Sequence, residues 1–262
     1  MYKLRKYKKA NKISLLILMT FIIIIPIGSI IFKTLEHLSL YSYYFRPSNT
    51  GEQSIYTIDQ LMARWFNAFS NWWGLYCILY GIRFLTKLNS DTKKTTLHNW
   101  FLNPIFLTAY SVVIFLIFLP LIFIQLINGQ GFLLENTWRQ NVESGILHIL
   151  LPILTFIFIR ILIEYEELNF KFFVKKICWF VLILPISWLI FSYSRMAIYI
   201  YVHGFEKTET LLIWFEGYEI LNLFINPILT LGLIFVGIIL FLVLSIIIAK
   251  LISCYKNNFR HK

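Results

Sequence analysis

The feature that most constrains this chain is where its charges are not. Six apolar runs, at 14–32, 65–82, 101–127, 146–159, 177–194 and 221–249, contain none of its 24 Lys and Arg or its 13 Asp and Glu residues. A charge at the centre of a bilayer costs about 2.5–3.5 kcal/mol on insertion scales, so hydrocarbon as solvent enforces this sorting. About 20 apolar residues cover about 30 Å of hydrocarbon as a helix. The fourth run reaches that length only as 146–163, with Arg160 snorkelling to the interface. The expected fold is therefore all-α: a single polytopic transmembrane bundle over residues 1–262, with about six spanning helices.

Composition agrees. The chain is 58% hydrophobic and only 14% charged, against about 25% charged in soluble domains. A net charge of +11 raises nucleic acid as a partner, but the basic residues cluster at the ends and between the runs. They form no basic face or readable binding motif, so nucleic-acid binding is not expected. Their distribution instead sets orientation. The N-terminal tail, the 83–100 and 160–176 loops and the C-terminal tail hold 18 basic and 4 acidic residues, whereas the alternate loops hold 6 and 9. The positive-inside rule then predicts both termini in the cytoplasm, and an even number of spans requires the same. The first run exceeds the 7–15 residues of a signal-peptide core and no A-x-A-like site follows it, so a retained helix is expected. Usage rich in Lys, Ile, Asn and Phe suggests an AT-rich bacterial genome and hence a plasma membrane.

Cys77, Cys178 and Cys254 are scattered and form no CxxC pair, so neither a disulfide framework nor a zinc site is expected. The five histidines are never three to five residues apart, which argues against a local metal site. Glu166 and Glu167 resemble the paired glutamates of intramembrane prenyl-protein proteases but fall in an inner loop without the required histidines. No HExxH, GxSxG or P-loop is present, and no cofactor is expected. Trp65, Trp72, Trp73, Trp100, Trp179 and Trp214 fall near predicted helix ends, as interfacial anchors do. Residues 210–220 have the pattern of a surface-lying amphipathic piece.

The polar residues within the runs converge on one depth. In the second run Asn67, Ser70 and Asn71 are spaced i, i+3, i+4, on one helix face, and Gly74 continues the stripe. In the fourth, Ser144, His148, Pro152 and Thr155 follow steps of four, four and three. The fifth brings Ser192, Ser194 and Arg195 to that level, with His203 just beyond, and the sixth begins with Asn222 and Asn226. Such amides and hydroxyls commonly do no more than bond a neighbouring helix. His148 stands apart as the only histidine inside a run, and an intramembrane ionisable group is a functional candidate by default. The expectation is an outward-facing polar pocket around His148 that takes a membrane lipid or small amphiphile. The sequence names no protein partner.

Three segments carry a family likeness. The stretch Arg64-Trp65-Phe66-Asn67-Ala68-Phe69-Ser70-Asn71 resembles the start of helix 2 in the androgen-induced-protein-like family of six-helix membrane proteins. Ser144-Gly145-Ile146-Leu147-His148-Ile149-Leu150-Leu151-Pro152 resembles its histidine helix. Pro185-Ile186-Ser187-Trp188-Leu189-Ile190-Phe191-Ser192-Tyr193-Ser194-Arg195 resembles helix 5 of its uncharacterised bacterial relatives. The likeness runs over roughly residues 60–250. It implies a membrane threonine hydrolase of lipid esters, with the family histidine at His148. The family's threonine nucleophile falls on Asn67, whose amide has no hydroxyl and cannot act as the usual oxygen nucleophile. If hydrolysis persists, Ser70 is the substitute nucleophile, His148 its base, and Asn67 or Asn71 the group that polarises the ester carbonyl. Three functions follow: a non-catalytic lipid binder, a lipid-ester hydrolase, and a structural or transport-associated subunit.

Overall fold

The computed structural model describes residues 9–44, 68–88, 99–128, 138–165, 168–203 and 227–260. These form six helical rods with no strand among the described residues. They are α1 (Lys9–Tyr44), α2 (Phe69–Leu88), α3 (Pro104–Asn128), α4 (Trp138–Leu162), α5 and α6 (Pro227–Arg260). The rod α5 starts as Phe170–Phe172, passes through a π-helical turn at Phe173–Ile177 and a 3₁₀ stretch at Cys178–Leu182, and continues as Ile183–His203.

Four of the rods are long and apolar enough to cross a membrane: Asn11–Glu36, Trp138–Leu162, Phe170–Arg195 and Pro227–Tyr255. Their outward surface is apolar, with Phe21, Ile24, Ile190, Phe235 and Leu251 all more than half exposed. Water would penalise such a surface and hydrocarbon accepts it.

The rods outrun the apolar runs. Hydropathy marks only the stretch that must lie in oil, while the i→i+4 ladder continues into water wherever nothing breaks it. Thus α1 carries Lys33 and Glu36 inside a helix, beyond the run at 14–32. The fourth run is extended at both ends, through Arg160 to Leu162 and, beyond what was expected, back to Trp138. The rod begins at Trp138 and stops at Leu162, while Arg160 pairs with Glu164 at 2.9 Å on the surface.

The start of α3 is fixed locally. Asn103 precedes Pro104, a residue suited to the first helical position because the missing N–H is one of the unsatisfied donors there. The Asn103 Oδ1 accepts from the Ile105 N–H at 2.9 Å, an N-cap. The fully buried Asn103 is itself held by Tyr76 of α2, whose Oη accepts from the Asn103 N–H at 2.8 Å and donates to the Phe101 carbonyl at 2.7 Å.

The interior is aromatic. Phe69, Trp73, Tyr76, Tyr80 and Phe84 lie along one face of α2 at steps of four, three, four and four, all buried. Phe69 meets Trp188 of α5 and Phe241 of α6, each at 5.6 Å, and Tyr80 and Phe84 pack on Phe158 of α4. The Tyr110 hydroxyl of α3 donates to the Val181 carbonyl at 2.7 Å. That carbonyl lies in the 3₁₀ stretch of α5, where the α-helical ladder is interrupted. Against α1, α2 presents glycines. A Cβ on Gly74 would stand 3.1 Å from the Pro26 Cβ, and one on Gly81 only 2.4 Å from the Ile23 Cγ1.

Candidate functional site

At the end of the bundle that holds the start of α2, α1 and α4 run side by side, and their apolar contacts give way to polar ones. Ser29, Lys33 and Glu36 of α1 are spaced i, i+4, i+7, which puts them on one helix face. Across from them stand Gln140 and Glu143 of α4. The Glu143 Oε1 accepts from the Ser29 hydroxyl and lies 3.6 Å from the Lys33 Nζ. The Gln140 side-chain amide donates to the Glu36 Oε1 at 2.6 Å. Lys33 also reaches α2, donating to the Asn71 Oδ1 at 3.0 Å. Three helices are thus tied by one chain of contacts, Ser29–Glu143–Lys33–Asn71. Lys33 and Glu143 keep 23% and 15% of their side-chain surface exposed, so the pair sits mostly out of water yet remains open on one side.

His148 follows Glu143 by five residues, at the centre of a π-helical turn, Ile146–Leu150. The Leu151 N–H bonds the Ile146 carbonyl, five residues back. A local cause is visible in the sequence: Pro152 has no N–H to offer the carbonyl of His148, four residues before it, so the α-ladder breaks here. Such π-turns occur often at functional sites. The imidazole Nδ1 lies 2.8 Å from the Ser144 carbonyl and 3.3 Å from the Ser144 hydroxyl. A carbonyl only accepts, so Nδ1 carries the proton and Nε2 is left as an acceptor. The ring lies nearly parallel to Phe118 of α3, with centroids 4.3 Å apart and a 13° interplanar angle. His148 is therefore a half-buried, oriented ring between α3 and α4.

The residues expected from sequence divide into three groups. Asn71, Ser144 and His148 belong to this polar end, Asn71 through Lys33. Ser70 is buried beside Asn71 in the chain, but among the described residues no hydrogen bond joins it to His148. The Arg195 guanidinium lies 5.6 Å from the ring centroid of Phe191, which packs at 5.7 Å on Trp72, the residue after Asn71 in α2. Asn67, Asn222 and Asn226 lie outside the described residues, as do Trp65, Trp214 and the 210–220 segment. Among the described residues no group of three or more His, Cys, Asp or Glu could hold a metal ion.

The sequence reading missed Ser29, Lys33, Glu36, Gln140 and Glu143. The acids and the lysine lie outside the apolar runs and read there as loop charges. Their helical spacing was the available signal, with Ser29, Lys33 and Glu36 on one side and Gln140, Ser144 and His148 at steps of four on the other.

Comparison of the chain with protein-family models, with curated proteins and with solved structures gives no match.

Proposed function

We propose that this chain is a six-span membrane protein, with both termini cytoplasmic, that binds a lipid or small amphiphile at the outer end of its bundle. The polar part of the ligand would meet the Lys33–Glu143–Asn71 cluster, and its apolar part would run toward His148 and Phe118. The observation that carries this reading is the cluster itself: an ion pair with its hydrogen-bond partners, drawn from α1, α2 and α4, partly open and bordered by an oriented imidazole.

The two further spans are α2 and α3. At about 1.5 Å per residue, the 20 residues of α2 give about 30 Å, the thickness of the hydrocarbon. Its polar content is compatible with a span because Ser70, Asn71, Tyr76 and Tyr80 are buried inside the bundle. The 18-to-6 division of basic residues between alternate segments supports the cytoplasmic placement of the termini. The likeness to the androgen-induced-protein-like family supports the same geography, since it brings helix 2 and His148 to one end. A bacterial plasma membrane is the proposed location.

Hydrolysis by Ser70 and His148 needs the two within hydrogen-bond reach, so binding stands ahead of it. The test is photocrosslinking with a diazirine-bearing, alkyne-tagged phosphatidylethanolamine in reconstituted vesicles. Adducts should concentrate on peptides of α1, α2 and α4 and fall severalfold in Lys33→Met and His148→Phe. Adducts spread evenly over the outward faces of α1 and α6, and unchanged in both variants, would end the proposal.

A further inference from the structure

The opposite end of the bundle carries a second arrangement, independent of the outer cluster. Several cations there are already engaged. Arg160 pairs with Glu164 and lies 4.4 Å from the Tyr255 ring centroid, and Lys250 sits 5.3 Å from that of Phe170. Lys171, Lys175 and Lys176 at the start of α5 are different. All three are exposed, and among the described residues none is paired with a carboxylate. Lys171 and Lys175, four apart, lie on one side of the helix with Lys176 next to them, away from Phe173 and Ile177, which face the core and are fully buried.

The same side continues along the rod. Trp179 comes next and is 61% exposed, an indole with its ring outside the protein. Below it Ile183, Ile186 and Ile190 are exposed in turn. Read along the axis, the stripe passes from ammonium groups to an amphipathic ring to aliphatic side chains. That is the order of headgroup, interface and hydrocarbon in one leaflet of a bilayer. The lengths agree too. Trp179 to Ile190 spans roughly 16 Å at about 1.5 Å per residue, and one leaflet's share of the hydrocarbon is about 15 Å.

We propose that this side of α5 seats an anionic phospholipid, with its phosphate against Lys171, Lys175 and Lys176 and an acyl chain along Trp179 and the isoleucines. Charge complementarity selects the headgroup, since three ammonium groups in one place, with no carboxylate partner among the described residues, favour a net negative lipid over a zwitterionic one. The continuous apolar stripe distinguishes a lipid from a free phosphate ion, which would have nothing to occupy below the lysines.

The experiment titrates the detergent-purified full chain with phosphatidylglycerol and with phosphatidylcholine of the same acyl chains, and counts bound lipids by native mass spectrometry. Phosphatidylglycerol should bind the more tightly. Replacing the three lysines by glutamine should weaken it by about fivefold per lysine and leave phosphatidylcholine unchanged. Replacing them by arginine should preserve the preference. Trp179→Ala should weaken both lipids alike, and excess inorganic phosphate should displace neither. Equal binding of the two lipids by the native chain, an undiminished preference in the glutamine variant, or displacement by inorganic phosphate would each overturn the assignment. Lys33→Met, which weakens the outer site, should lower the number of bound lipids and still keep the preference for phosphatidylglycerol; loss of the preference in that variant would assign it to the outer site and overturn the placement on α5, so failure of one site is distinguishable from failure of the other.

Discussion

Glu143→Met removes the acceptor shared by Lys33 and Ser29. Breaking a fully buried ion pair costs about 3–5 kcal/mol, chiefly because the remaining charge has no partner. Here the ammonium keeps 23% of its side-chain surface exposed and retains the Asn71 Oδ1 at 3.0 Å, so water and an amide take up part of that cost. About 2 kcal/mol is the expected loss, the orphaned Ser29 hydroxyl included. Lys33→Met should cost less, about 1 kcal/mol, because the Glu143 carboxyl keeps Ser29 as donor and stays open on one side. The double variant Lys33→Met with Glu143→Met leaves no uncompensated charge, so its loss should fall below the sum of the two Met singles by about 1–2 kcal/mol. The measurement is reversible unfolding in mixed micelles of a mild detergent and dodecyl sulfate, followed by far-ultraviolet circular dichroism, for wild type, both Met singles and the double. Independent sites add within about 0.3–0.5 kcal/mol. If the singles sum to the double within that margin, the pair contributes nothing specific and the cluster loses its role as a built site.

Three further predictions rest on separate contacts. Tyr76→Phe leaves the buried Asn103 N–H without its acceptor; the same unfolding assay should show a loss of about 1–3 kcal/mol, and a neutral result would mean that water replaces the hydroxyl. Gly81→Ala places a methyl 2.4 Å from the Cγ1 of Ile23, a β-branched side chain held to one helical rotamer, so α1 and α2 must part at a cost of about 1–3 kcal/mol. Gly28→Ala on α1 meets nothing within 4 Å and should be neutral or stabilising by up to about 1 kcal/mol; equal effects at the two glycines would contradict the α1–α2 packing. Cys254 is exposed near the end of α6, whereas Cys77 and Cys178 are buried. A membrane-impermeant maleimide should therefore label Cys254 alone, and only in inside-out vesicles; labelling in right-side-out vesicles would reverse the orientation.

The sequence determined the solvent. Charges excluded from six apolar runs point to a helical bundle, and each run overlaps one of the six rods, although the rods reach past the runs by as much as the twelve residues from Lys33 to Tyr44. What hydropathy could not reach was the helix beyond the oil. Lys33 and Glu143 have no reason in the linear pattern to be other than loop charges, because an apolar run ends where solubility changes and not where backbone hydrogen bonding stops. Their meeting is a long-range event, 110 residues apart in the chain, that exists only because α1 and α4 continue as helices side by side past the apolar runs. His148 shows the division within one residue. Its place in a run was legible; the break in the helical ladder was not read there, although Pro152 four residues on carried the signal. That its ring would turn to the Ser144 carbonyl and lie against Phe118, while no hydrogen bond joins it to Ser70, depended on how α2, α3 and α4 pack. Periodicity fixes which face of a helix a side chain occupies; only the tertiary structure decides which neighbour that face meets.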